Sequence, residues 1–135
     1  MAIVGFSFSK VLIEKKEAIT SKVEVKSKIQ INNVSKESIE LIENQDTLKF
    51  EFEYFIEYAP NLAKLEFNGQ VLVTEDPKEA DKILQDWKKS QKINEELQLR
   101  IYNSIFNKCN VKAFQLEEDL SLPLHLRLPA IGKNK

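Results

Sequence analysis

The chain has 135 residues and a mass of 15.6 kDa, one domain's worth, and 42% apolar residues are enough for a packed core. Its 20 Lys+Arg against 21 Asp+Glu leave a formal charge of −1, which excludes a strongly basic nucleic-acid binder and an acidic tail protein alike. A single Cys and a single His exclude a disulfide framework and an ordinary structural zinc site.

The opening segment Ile3–Lys15 reads as one long, bent strand. Val4, Phe6 and Phe8 alternate first, and then Val11 and Ile13 take the opposite parity. The phase change near Ser9-Lys10 predicts a bulge or bend. The short, Ser-interrupted apolar start has no preceding charge and does not resemble a secretory signal, so a cytoplasmic protein is expected. No segment approaches the ~20 apolar residues of a membrane span.

Lys22–Asn32 alternates strictly, with Val23, Val25, Ile29 and Ile31 on one face and Lys and Glu on the other. Asn32-Asn33 is expected to end that strand. Residues 34–45 then read as a connection with a short strand or helical turn, carrying Ile39, Leu41 and Ile42. Leu48–Tyr58 is the clearest strand, with Leu48, Phe50, Phe52, Tyr54, Ile56 and Tyr58 on one face. Leu62–Thr74 follows, presenting Ala63, Leu65, Phe67, Val71 and Val73. Ala59-Pro60-Asn61 predicts a hairpin between these two strands. Gly69 is expected to mark a bend or bulge in the fourth strand.

At Asp76 the period changes. An Asp N-cap, Pro77 at the first helical position and Glu79 at the third start a helix, with Ala80, Ile83, Leu84 and Trp87 at helical spacing. Asn94-Glu95-Glu96 starts a second helix, whose apolar stripe of Leu97, Ile101, Tyr102, Ile105, Phe106, Cys109, Ala113 and Leu116 runs to about Leu116. The tail Leu120–Ile131 holds Leu at every even position to Leu128 and two prolines. It reads as an extended segment lying on an apolar surface or waiting for a partner. The expected fold class is α+β: one domain over residues 1–135, with a four-stranded antiparallel sheet, two C-terminal helices and a Pro-broken tail.

Lys supplies 18 of the 20 basic residues and Glu 16 of the 21 acidic ones. This is the usage of a hyperthermophile protein, and equally that of an AT-rich genome. No motif asks for a cofactor, a metal or a catalytic nucleophile. His125 lies inside the Pro-flanked tail and reads as an incidental polar residue on its wet side. Cys109 lies on an apolar helix face and reads as an inert buried thiol. The pairs Glu51/Glu53 and Glu95/Glu96 read as wet faces rather than acid–base sites, so no enzyme is expected. Phe55 shares a charged face with Lys22, Lys26, Lys28 and Lys49, where an aromatic can stack a base. Glu24, Glu51, Glu53 and Glu57 on the same face cancel most of that field, and cover by a helix or a second subunit explains Phe55 as well. Nucleic acid is therefore not the expected partner.

The order of these pieces resembles the SecB family of export chaperones. Val4–Glu14 looks like that family's first bent strand and Val23–Ile29 like its second. Leu48–Glu53 and Leu65–Val71 resemble the third and fourth. Ile101–Phe114 followed by Leu120–Pro129 is similar to its long helix and proline-broken closing segment. The resemblance covers about residues 3–131 and rests on order and spacing, without a diagnostic motif. It implies a SecB-like fold, assembly into dimers or tetramers, and binding of unfolded or preprotein chains without ATP. SecB chaperones are markedly acidic whereas this chain is nearly neutral, and no counterpart of the acidic tail that meets the secretion ATPase is seen.

Two functions are compatible with this reading. A holdase would bind unfolded polypeptide clients through apolar grooves of a homo-oligomer, with Phe6, Phe8, Phe55, Leu122, Leu124 and Leu126 as candidate polypeptide-binding residues. An adaptor or regulatory scaffold would bind one fixed partner, such as a ribosomal subunit, a membrane-targeting factor or a toxin–antitoxin component. Both predict an oligomer, because an open sheet leaves two strand edges to be paired or covered, the first and fourth strands being the expected ones.

Overall fold

A computed structural model describes residues 2–17, 23–39, 41–59 and 61–125. Four strands, β1 (Ala2–Lys15), β2 (Glu24–Glu37), β3 (Asp46–Ala59) and β4 (Ala63–Glu75), form one antiparallel sheet, followed by helices α1 (Pro77–Ser90) and α2 (Glu95–Asp119). The strand order is β1-β4-β3-β2, the Greek-key arrangement of three hairpin-linked strands with the remaining one beside the last. The edges are thus β1 and β2. The expectation of a fourth-strand edge is corrected, because β4 is buried between β3 and β1.

The inner face of the sheet is written by alternation. Leu48, Phe50, Phe52, Tyr54, Ile56 and Tyr58 of β3 and Leu65, Phe67, Val71 and Val73 of β4 are almost fully buried. The edge strands keep their apolar residues on this face by means of bulges. In β1 the register shifts at Val4 and again at Ser9, so Ile3, Phe6, Phe8, Val11 and Ile13 oppose Val73, Val71, Gly69, Phe67 and Leu65. Two extra residues reconcile an irregular sequence with a strict two-residue pleat.

β2 does the same at Asn32. The strand does not end at Asn32-Asn33 but continues to Glu37, because the bulge moves Val34 onto the inner face opposite Phe50. Without it Val34 would face solvent, whereas it is buried. Gly69 stands in regular register, and the bulge lies opposite it in β1, between Phe8 and Lys10. The glycine is required by close approach, since a Cβ there would sit 2.3 Å from the Ser7 carbonyl oxygen and 2.9 Å from the Phe52 ring.

The Asp76 carboxylate accepts from the Lys78 amide and Pro77 occupies the first turn of α1. Asn94 caps α2 by accepting from the Leu97 amide at 2.9 Å. The buried stripe of α2 runs Leu97, Ile101, Ile105, Cys109, Ala113 and then Glu117, a charged residue that apolar spacing does not nominate, while Tyr102, Phe106 and Leu116 are only partly buried. α1 packs over β2 and β3 and α2 over β4, so β1 lies beyond the main reach of both helices.

The outer face is mostly polar, with Leu12, Phe55 and Leu72 among its charged residues, and many of its polar groups pair across strands. Asn33 Nδ2 donates to Glu51 at 2.9 Å and Gln30 Nε2 to Glu53 at 3.4 Å. Lys10 meets Glu66 at 2.8 Å and Lys49 meets Glu37 at 3.2 Å. Cross-strand pairing of this kind stabilises a solvated sheet face. It gives Glu51 and Glu53 cross-strand partners in Asn33 and Gln30.

Candidate functional site

Two features stand apart from ordinary core. The first is the aromatic inner face of β1. Phe6 and Phe8 meet edge to face with centroids 5.1 Å apart. Phe6 also stacks on Phe52 at 5.4 Å, and Phe8 lies 5.7 Å from Phe67. The cluster continues inward through Tyr54, which stacks on Phe67 and meets Phe106 of α2 edge to face. Its inner members are closed by α2. Its outer members, on the strand that neither helix covers well, are not. Phe6, Phe8 and Ile13 are half-buried and Val11 is 40% exposed, although all four face the core side of the sheet.

The sequence-derived site residues separate on this framework. Phe6 and Phe8 come together on β1. Phe55 lies on the opposite face of the sheet, half-buried in an open cleft where Lys26, Lys28 and Lys64 are offset in part by Glu57 and Glu66. Leu122 is only 6% exposed and belongs to the chain's own core, whereas Leu124 is 43% exposed. The even-numbered leucines of the tail therefore are not equally covered, and a turn at Ser121 with φ 54° separates Leu120 at the end of α2 from Leu122 and Leu124. Leu126 lies outside the described residues. Additional exposed apolar side chains that sequence reasoning did not nominate are Val4 on β1, Ile39, Leu41 and Ile42 between β2 and β3, and Leu99 and Val111 on the outer side of α2.

The second feature is a buried polar node at the end of α2. His125 is not on a wet side. Its side chain is 1% exposed and its Nδ1 lies 2.7 Å from Oε2 of Glu117, which is fully buried. Its Nε2 lies 2.8 Å from Asn110 Oδ1, and its ring packs on Phe114 with centroids 5.2 Å apart. The His125 amide donates to Glu117 Oε1 at 3.3 Å, so both carboxylate oxygens are engaged. Tyr54 donates to Asn110 Oδ1 and Tyr58 to the Pro123 carbonyl, while Lys15 Nζ donates to the Leu120 carbonyl at 2.8 Å. A buried carboxylate is tolerated only with such partners. The signal in the sequence was the four-residue spacing of the α2 stripe, which reaches Glu117, with the single His eight residues further on.

Burial raises the ionisations around this node. It pushes Tyr54 up to about 12 and Cys109 up to about 12. Burial, with the Glu117 carboxylate as the next cause, holds Tyr58 well above the usual phenol range. Each group is thereby held neutral further into the alkaline range, and full burial shields the Cys109 thiol. The His–carboxylate pair has the form of two-thirds of a hydrolytic triad, but Nε2 faces an amide oxygen in a closed environment instead of a hydroxyl or thiol. The arrangement fastens the chain. Among the described residues no helix is long and apolar enough to cross a membrane.

No protein-family model matches the chain, and no curated protein matches it in sequence. A search of solved structures finds similarity to the SecB-like chaperone Rv1957 of Mycobacterium tuberculosis, solved in complex with a ChAD peptide from the HigA1 antitoxin. The identity is 13% and the TM-score 0.51, over 99% of this chain and 92% of that one. The fold is therefore α+β and SecB-like: a four-stranded antiparallel sheet followed by two helices.

Proposed function

We propose that the chain is a non-enzymatic polypeptide-binding protein that holds unfolded or extended segments on an apolar face without nucleotide. The observation that carries this reading is the incompletely covered inner face of β1, where Phe6, Phe8, Val11 and Ile13 extend the core beyond the reach of α1 and α2. Apolar side chains left open at a sheet edge attract further chain, because the edge supplies backbone partners and the face supplies burial. Aromatic and aliphatic contacts bind without reading sequence, which suits a holdase. The likeness to a solved SecB-like chaperone that holds a peptide supports polypeptide binding in general, and equally an adaptor devoted to one partner.

The same open edge supports a homo-oligomer. Pairing of β1 with β1 of a second copy would continue the sheet and leave the apolar face as a broader groove. Unlike a fixed-partner adaptor, a holdase suppresses the aggregation of unrelated unfolded proteins. We therefore expect the purified protein, at near-stoichiometric ratios and without ATP, to suppress aggregation of several such proteins. A stable, folded protein that suppresses none of them rejects the holdase and leaves the adaptor.

A further inference from the structure

We infer that residues 120–125 form a releasable strap, clasped by Glu117 and His125, over a seat that also accepts an extended segment of another polypeptide. After α2 the chain turns at Ser121, where the Leu122 amide donates to the Glu117 carbonyl at 2.8 Å, and then runs back along the helix as far as Asn110. Leu122 is its one fully buried apolar side chain, with Leu120 partly buried against the core beside it, while Ser121, Pro123 and Leu124 are exposed. The rest of the attachment is polar: Tyr58 to the Pro123 carbonyl, Lys15 to the Leu120 carbonyl, and His125 to Glu117 and Asn110. The stripe from Leu97 to Ala113 is packed against the sheet independently of these contacts.

This geometry favours two states over a continuum. Both oxygens of Glu117 take their hydrogen bonds from His125, through its ring and its amide. Lifting His125 takes both partners from the Glu117 carboxylate at once, so its oxygens must then be met by water or by a donor from another chain. Once released, the seat offers an apolar slot, a phenol donor from Tyr58 and a buried carboxylate. It would therefore select an extended segment with an apolar residue, a free carbonyl one position later, and a donor side chain two positions beyond that. These are the spacings of Leu122, Pro123 and His125. The seat deepens the polypeptide-binding reading and rests on it for its trans ligand; the strap itself does not.

The test uses the full chain, with native-state hydrogen exchange, alkylation of Cys109 and anisotropy of a labelled synthetic peptide spanning residues 119–127. The Leu122 and His125 amides should exchange at least about tenfold faster than those of Ile105 and Cys109, the mark of a local opening. His125→Ala should speed Leu122 exchange by about tenfold or more and tighten peptide binding correspondingly, while Cys109 stays unreactive because α2 remains seated. Tyr58→Phe, which keeps the fold and removes one strap bond, should move in the same direction by less. Exchange of Leu122 in step with the core, or Cys109 alkylation rising with it, overturns the strap. Independent opening with no peptide bound to His125→Ala overturns the seat. Failure of the holdase reading would appear elsewhere, as absent aggregation suppression with the strap kinetics unchanged.

Discussion

Gly69→Ala should be among the costliest single-methyl additions in this chain, and Gly5→Ala among the mildest. At Gly69 the new Cβ would lie 2.3 Å from the Ser7 carbonyl oxygen and 2.9 and 3.0 Å from Phe52 ring atoms. An ordinary contact is about 1 Å longer than the first of these, and the obstacle is backbone, so β1 must move away from β4. Overpacking of this kind costs about 1–3 kcal/mol. Displacing β1 weakens ladder hydrogen bonds worth about 1 kcal/mol each. Against this stands roughly 0.4–1 kcal/mol from a stiffer unfolded chain. The net is a loss of about 2–4 kcal/mol. With a urea slope near 2 kcal/mol/M, the unfolding midpoint falls by about 1–2 M. At Gly5 the nearest atom is Leu72 Cδ1 at 3.2 Å, the end of a flexible side chain, so the change should stay within about 1 kcal/mol. Urea unfolding of both variants decides the matter. A Gly69→Ala midpoint within error of wild type, or a Gly5→Ala loss as large as that of Gly69→Ala, would refute the close-approach account.

Alkaline stability follows from the raised ionisations of Cys109, Tyr54 and Tyr58. The folded state holds these protons more tightly than the unfolded state, so stability is unaffected by them below about pH 8.5 and declines as pH rises from about 9 toward 12. Urea midpoints at pH 8, 9.5 and 10.5 should fall in that order, and a flat series would contradict the burial of these groups. Tyr58→Phe should cost about 1 kcal/mol by leaving the Pro123 carbonyl without its donor, measured by urea unfolding, and a stabilised variant would argue against that bond. Leu99→Ser and Val111→Ser, on the exposed side of α2, should each change the stability of the isolated chain by no more than about 0.5 kcal/mol, and larger losses would show that α2 faces another subunit.

Much of the fold was legible because inner and outer residues alternate without error where a strand is central. β3 carries an unbroken series from Leu48 to Tyr58, and the two helix starts are written by Asp76-Pro77 and Asn94 with local chemistry. The edge strands were harder. A bulge adds a residue without leaving a composition signal, so Asn32-Asn33 read as a stop although it re-phases Val34. Ser9-Lys10 was recognised only because the apolar parity visibly changed there, and the second shift at Val4 was hidden by neighbouring apolar residues. Strand order was not legible from pairwise pattern, since β1 and β2 present equally good apolar faces to β4.

The candidate site was legible in part. Phe6 and Phe8 were nominated from alternation and do lie together, and the odd parity of Phe55 among Lys49, Glu51, Glu53 and Glu57 already set it on the opposite, charged face. The polar node was missed because a lone His in a proline-flanked tail has no local partner; Glu117 becomes its partner only when the chain folds back along α2. Long-range pairs of this type depend on a turn at Ser121, a non-glycine residue with positive φ that composition does not announce.

The account stands most directly on one comparison: binding of a permanently unfolded protein by the wild-type chain and by Phe6→Ser/Phe8→Ser, read by anisotropy after circular dichroism and urea unfolding show the variant folded. Each ring is at least about two-thirds buried already, so client contact should gain up to about 1 kcal/mol per ring, up to about 2 kcal/mol together. That predicts affinity weakened by up to about 10–50-fold, with Val11→Ser showing a smaller loss in the same direction. Unchanged affinity in a folded double variant would contradict the claim that the open face of β1 is where this protein holds other chains.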